Sequence, residues 1–267
     1  MRNTSLRFAT YLAPNMFPVY RFISEFVGEK LGLSTELVVG DSFEQFARGE
    51  VDAGFICGLP YVLLTRHTPA PIEALAAPVL QGARYQGMPV YFSDVIVRRD
   101  SPFQTFSDLR GRSWSYNDPD SQSGYGISRF WLARMGETRG FFGSVVQAGF
   151  HQRSIRMVCA GEVDASAIDS QVLAIELRDH PELASQLRVI ESLGPSSIQP
   201  FVAASRLPAS LKSDLATVFQ TMDDDPRAKE TLARGFVDRF VAVTDSTYDD
   251  IREMLAIVEA ARFLRLK

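Results

Sequence analysis

Long apolar runs are missing from this chain. No stretch approaches the ~20 consecutive apolar residues that a membrane-spanning helix needs, so stable membrane insertion is not expected. Surplus positive charge is missing as well: 28 Lys and Arg against 32 Asp and Glu leave a formal charge of -4. That balance excludes a general nucleic-acid binder, which needs cations to displace the counterions of a phosphate backbone. It leaves a small anion open as a ligand, because backbone dipoles can hold one locally. Cysteine is scarce, with only Cys57 and Cys159, far from a disulfide framework. A lone pair can bridge, but two buried free thiols is the preferred reading. Neither cysteine has metal-ligand spacing, and His67, His151 and His180 are scattered, so neither a metal nor a cofactor is expected. At the start, Met1-Arg2-Asn3-Thr4-Ser5 runs directly into an apparent strand, without a basic segment leading into an apolar one. Either the protein works in the cytoplasm or an export signal preceded these residues.

What is present fits two α/β domains. The 267 residues are long for one compact domain, and 46% hydrophobic with 22% charged residues is the mix of a soluble globular protein. Leu6–Tyr11 reads as a strand, Pro18–Leu31 as an amphipathic helix and Glu36–Val39 as a second strand. A short helix through Arg48, a strand over Asp52–Cys57 and a helix near Tyr61 follow. The second half repeats this alternation: a strand at Ser113–Tyr116, a helix from Gly124 to Met135, a helix from Ser154 to Ala160 and a strand from Asp164 to Ile168. A helix from Ser170 to Arg178 closes it. Gly49-Glu50-Val51-Asp52-Ala53 recurs as Gly161-Glu162-Val163-Asp164-Ala165 in the same setting, which points to two lobes of similar topology. Two extended segments, Tyr91–Arg98 and Pro200–Ala204, read as crossovers between lobes. Lobe one is then 1–92 with 203–267, and lobe two is 93–202. C-terminal helices at Pro208–Met222, Pro226–Ala233 and Ser246–Leu264 are expected to pad lobe one.

Ser121-Gln122-Ser123-Gly124 stands immediately before an apolar helix carrying Ile127, Phe130 and Trp131. Unpaired amides of a first helical turn converge on one spot, the helix dipole favours negative charge there, and the two hydroxyls add donors. Gly124 leaves room for the backbone to approach a ligand. Plain N-capping by Ser121 or Ser123 is the competing explanation.

Four segments together carry a family resemblance: Val51 through Tyr61; Asp118-Pro119-Asp120-Ser121-Gln122-Ser123-Gly124-Tyr125; Ala148-Gly149-Phe150-His151 with Ser154; and Gly161 through Ser170. In this order and spacing the chain resembles the phosphate/phosphite/phosphonate family of ABC-transporter substrate-binding proteins. The resemblance implies a two-lobed type II periplasmic-binding fold, two βα lobes joined by two crossover strands. It implies capture of a small phosphorus oxyanion by clamshell closure, for uptake through an ABC permease. The protein is then monomeric, periplasmic or otherwise extracytoplasmic, and not an enzyme. Its ligand-binding residues are expected to be Tyr61, Ser121, Gln122, Ser123, Gly124, His151 and Asp169. His151, ahead of a helix capped at or near Ser154, matches a histidine that donates to a ligand oxygen. Asp169 is either the cap of the next helix, an acceptor for a ligand, or the partner that orients His151. Tyr61 is either a ligand group at the carboxyl end of a strand or a half-buried core tyrosine.

Two departures bear on the ligand. Gln199 stands where some aminophosphonate-binding relatives carry an acid, and Phe43 where they carry an aromatic hydroxyl, which disfavours an ammonium-bearing ligand. Two other readings remain. A sensing protein on the same scaffold would bind another small anion or metabolite without a transporter. A hydrolase would use Ser123, His151 and Asp169, although the chain has no Gly-x-Ser-x-Gly elbow.

Overall fold

The computed structural model describes residues 5–263, 265 and 266. The expected approach of Met1–Thr4 to the first strand and the Leu264 end of the last helix lie outside the described residues. The chain forms two compact units, Met1–Val90 with Ser197–Asp249, and Tyr91–Ser196 with Asp250–Lys267.

The strands of the first half are β1 (Ser5–Thr10), β2 (Ser34–Val39), β3 (Ala53–Phe55) and β4 (Ile72–Leu80). The middle of the chain supplies β5 (Val90–Arg98), β6 (Ser113–Tyr116), β7 (Ser144–Gln147), β8 (Ala165–Asp169) and β9 (Leu187–Ser197). The chain then returns through β10 (Phe201–Ala204) and β11 (Val237–Ala242). One sheet has the order β11-β4-β10-β3-β1-β2 and the other β7-β6-β8-β5-β9. In the first, β1 runs parallel to both β2 and β3, and β10 runs antiparallel to β3. In the second, β6 runs parallel to both β7 and β8, and β5 runs antiparallel to β8. Both sheets therefore hold a parallel trio with its first strand in the middle, followed by one reversed strand.

The repeated pentapeptide has a physical cause in this arrangement. Gly49 and Gly161 end a helix with φ of +75° and +71°, a conformation that costs glycine little. Val51 and Val163 are buried. Asp52 then accepts the Arg7 amide of β1 at 2.8 Å, and Asp164 accepts the Ser113 amide of β6 at 2.8 Å. The backbone answers in both places, Asp52 N–H to Arg7 C=O at 2.8 Å and Asp164 N–H to Ser113 C=O at 3.2 Å. In each sheet the aspartate thus pins the third parallel strand to the start of the first.

The boundaries differ from those the sequence suggests. The chain passes between units three times, after Val90, Ser196 and Asp249, rather than through two crossover strands. The segment expected to pad lobe one, after residue 249, belongs to the second unit. Val258, Phe263 and Leu266 pack into a core with Val97, Trp114, Tyr125 and Ile127, and the Arg129 guanidinium donates to the Phe263 carbonyl at 2.9 and 3.1 Å. Amphipathic spacing shows that a helix has a sheet to cover but not which sheet. Cys57 and Cys159 form no disulfide, are partly buried and lie in different units, so they are less buried than the sequence implied.

Candidate functional site

Strand β6 ends at Tyr116, and the next residue, Asn117, is held by its carbonyl, which accepts the Gly149 amide at 2.8 Å. A turn follows, closed by Ser121 N–H to Asp118 C=O at 3.1 Å. Ser121 then caps a helix, its Oγ accepting the Gly124 amide at 3.0 Å. The opening turn, Gln122–Gly126, is wound as a π-helix before it tightens into the α-helix Ile127–Arg134. The Gly126 amide reaches the Ser121 carbonyl at 2.9 Å, five residues back. Such wide turns concentrate at functional sites.

Across from this turn, the helix His151–Ala160 begins at His151 itself, three residues earlier than expected. Gly149, at φ +90°, turns the chain out of β7, and Phe150 in extended geometry takes the Arg153 and Ser154 amides on its carbonyl at 3.1 and 3.2 Å. Ser154 therefore lies in the first turn, on the same face as His151, and not at the cap. The Ser123 hydroxyl sits 3.0 Å from His151 Nε2 and 3.3 Å from the Ser121 hydroxyl. Ser121, Ser123 and His151 are all buried.

Burial alone pulls His151 down to about 3, with no charged group contributing. The ring is neutral at physiological pH. Its Nδ1 is buried without a hydrogen-bond partner, and so are Ser154 Oγ, Asn117 Oδ1 and both polar atoms of the Gln152 side chain. Buried polar atoms are nearly always paired, so a concentration of unmet ones around one helix start marks a place built for something else to fill. Asn117 and Gln152 were not singled out as site residues from the sequence. The available signal for Asn117 was its place just past the carboxyl end of a parallel strand, where α/β ligands collect.

The other expected site residues are engaged elsewhere. The Gln122 side-chain amide points at Ser196 Oγ, 3.3 Å away, and at Met254 Sδ, 3.2 Å away, tethering the turn inside its own unit. A Cβ on Gly124 would fall 1.9 Å from Asn117 Oδ1 and 3.3 Å from His151 Cε1, so the glycine is required by its protein neighbours. Asp169 caps the helix Ser170–Asp179, its Oδ1 accepting the Gln171 and Val172 amides at 2.8 and 3.2 Å. No bond joins it to His151, so the orienting role does not hold. Tyr61 lies in the first unit, more deeply buried than the half-buried alternative, with its hydroxyl donating to Asp245 at 2.9 Å and its ring 4.6 Å from Tyr248. Phe43 in the same unit packs on Tyr11 at 4.7 Å. Among the described residues no helix is long and apolar enough to cross a membrane. No cluster of three or more His, Cys, Asp or Glu suited to a metal stands among them either.

The family described as ABC transporter, phosphonate, periplasmic substrate-binding protein matches residues 9–248. The phosphonates-binding periplasmic protein of Escherichia coli (strain K12) is 26% identical over 178 residues, covering 65% of this chain. That match spans about half, 52%, of the curated relative's length. A binding-protein component of an ABC phosphonate transporter from Pseudomonas aeruginosa superposes with a TM-score of 0.84 at 17% identity, covering 97% of this chain and 88% of that one. PhnD1 from Prochlorococcus marinus, solved in complex with methylphosphonate, superposes with a TM-score of 0.81 at 17% identity, over 97% of this chain and 99% of that one. At these identities the two structures establish a shared fold.

Proposed function

Because the chain belongs to the periplasmic substrate-binding protein family of phosphonate ABC transporters, we propose that it captures a small phosphorus oxyanion at the corner formed by Ser121, Ser123 and His151. One observation carries the reading: three buried, uncharged hydrogen-bonding side chains converge at a helix start, beside polar atoms that no protein group satisfies. The serine hydroxyls and the Ser123 amide supply donors, and the dipole of the helix they open supplies the favourable field. Micromolar affinity corresponds to about -8 kcal/mol. Hydrogen bonds to a charged partner contribute about 1.5–3 kcal/mol each, so four or five suffice when desolvation offsets only part of them. An ABC permease as partner and an extracytoplasmic setting belong to the same proposal, as does passive binding rather than turnover.

The hydrolase reading loses ground on the same atoms. A serine nucleophile needs a base of near-neutral pKa held by a third group. His151 is a very weak base, its Nδ1 meets no acid, and Asp169 is spent on two backbone amides.

Calorimetric screening against phosphate, phosphite, methylphosphonate, larger phosphonates and unrelated carboxylates tests the proposal. Saturable heats are expected with at least one phosphorus oxyanion. Binding of carboxylates with none of the phosphorus compounds would remove the ligand assignment while leaving the fold intact.

A further inference from the structure

The Ser121–Ser123–His151 corner contains no cation. The hydrogen-bond partners of its three side chains are one another and the Gly124 amide. The elements packed most extensively against the His151–Ala160 helix are β6, β8 and the Ser170–Asp179 helix, and the Gln122–Gly126 turn meets its start through Ser123. Their ionisable side chains are Tyr116 on β6, Asp169 on β8, Glu176, Arg178 and Asp179 on the helix, and Tyr125 in the turn. Asp169 is bound to amides, Glu176 stands 3.8 Å from Arg156, and Arg178 pairs with Asp179. On its own helix His151 has Arg153, Arg156 and Cys159, and none of these groups contributes to its shift. What this corner offers an anion is therefore dipoles and hydroxyls, with no formal positive charge bonded into it to balance a second negative one.

The corner also holds more buried acceptors than a fully ionised ligand can use. With the proton on Nε2, His151 donates to Ser123 Oγ, which frees the Ser123 hydroxyl hydrogen for the ligand and leaves Nδ1 as an acceptor. Asn117 Oδ1 is a second buried acceptor without a partner. Both residues pack against Gly124: Asn117 Oδ1 is 1.9 Å and His151 Cε1, the ring atom between the two nitrogens, is 3.3 Å from where a Cβ would be. An oxyanion with every oxygen ionised brings only acceptors and would face these atoms lone pair to lone pair. One carrying a P–OH group brings the missing donor.

We infer that this site takes its phosphorus oxyanion in the singly protonated, monoanionic form, with the ligand's P–OH donating into the Asn117 Oδ1 and His151 Nδ1 corner. The inference rests on the phosphorus reading above and adds the ionisation state that the site selects. Methylphosphonate, which loses a second proton in the accessible pH range, then binds above that ionisation only by regaining the proton. Its affinity falls about tenfold per pH unit there, by mass action. Dimethylphosphinate, a monoanion at every accessible pH, has no second proton to lose, so any affinity it shows stays flat.

The test is calorimetry of the wild-type protein with methylphosphonate, well below and well above the ligand's second ionisation, in two buffers of different ionisation heat. The phosphorus NMR signal of the bound ligand is followed alongside. The expected result is uptake of one proton at the higher pH, none at the lower, and a bound phosphorus signal that stays at the monoanion position throughout. Affinity independent of pH with no proton uptake overturns the inference. So does uptake accompanied by a dianion signal, which would place the proton on His151. Absence of methylphosphonate binding at both pH values overturns this inference, whereas the phosphorus reading itself falls only if every phosphorus oxyanion in the calorimetric screen fails to bind.

Discussion

Ser123 sits where three hydrogen-bonding roles meet, and its replacement is informative for that reason. Ser123→Ala removes a donor to a charged ligand, at a cost of about 1.5–3 kcal/mol, or roughly 10- to 100-fold in Kd by calorimetry. Its melting temperature should move little, because the hydroxyl's protein partners are a second serine and a histidine side chain. His151 yields a stability prediction whose sign follows from burial. The native ring resists protonation down to about 3, whereas the unfolded chain titrates near 6.5. Between those values the unfolded state binds the extra proton, so this contribution to stability is intact above the unfolded value. It declines by about 1.4 kcal/mol per unit as pH falls toward 3. Urea unfolding of wild type and His151→Gln across this window should give a steeper acid loss for wild type. Parallel profiles would mean that the native ring protonates freely. The serine pair and His151 were legible in the sequence, because Ser-x-Ser-Gly before an apolar helix is a local pattern. Asn117 was not, since its relation to Gly124 arises only when the β6 end folds against the next helix start.

Among the elements, the two third strands carry the clearest design. Asp164 accepts both the amide and the hydroxyl of Ser113, at 2.8 and 2.7 Å, and Asp52 repeats the amide bond in the other sheet while pairing with Arg206 at 2.9 Å. Asp164→Ala strands that amide and should cost about 1–3 kcal/mol in denaturant melts, with Asp164→Asn costing less because one acceptor oxygen remains. Loss within a few tenths of a kcal/mol would show that the repeated aspartate has no structural role. The repeat was visible in the sequence as five letters, and its setting between helix and strand was read correctly. Its cause was not visible, because the partners Arg7 and Ser113 lie about as far upstream in both halves as the first strand of each trio. The helix start at His151 was misplaced by one turn for a related reason. The sequence offers Ser154 as a capping serine, whereas Gly149 and the extended Phe150 backbone set the start without any side-chain cap.

For the molecule as a whole, the alternation of strands and helices and the two-unit organisation were readable, but the ownership of the last segment was not. Val258, Phe263 and Leu266 complete the core of the second unit. Each buried side chain of this size contributes about 1.5–3 kcal/mol, so a chain ending at Asp249 should lose at least about 5 kcal/mol there. Hydrogen exchange of that truncation should show lost protection along β6 and β8, with β1 and β3 retaining theirs. The central claim is that the helix start at Ser121–Gly124, facing His151, is where the ligand is held. Amide proton–nitrogen correlation spectra recorded through a methylphosphonate titration test it most directly. The account predicts that the Ser123, Gly124 and His151 amides, together with the His151 ring signals, move saturably and with a common Kd. A saturable response that leaves those three residues in place and perturbs only others would contradict it.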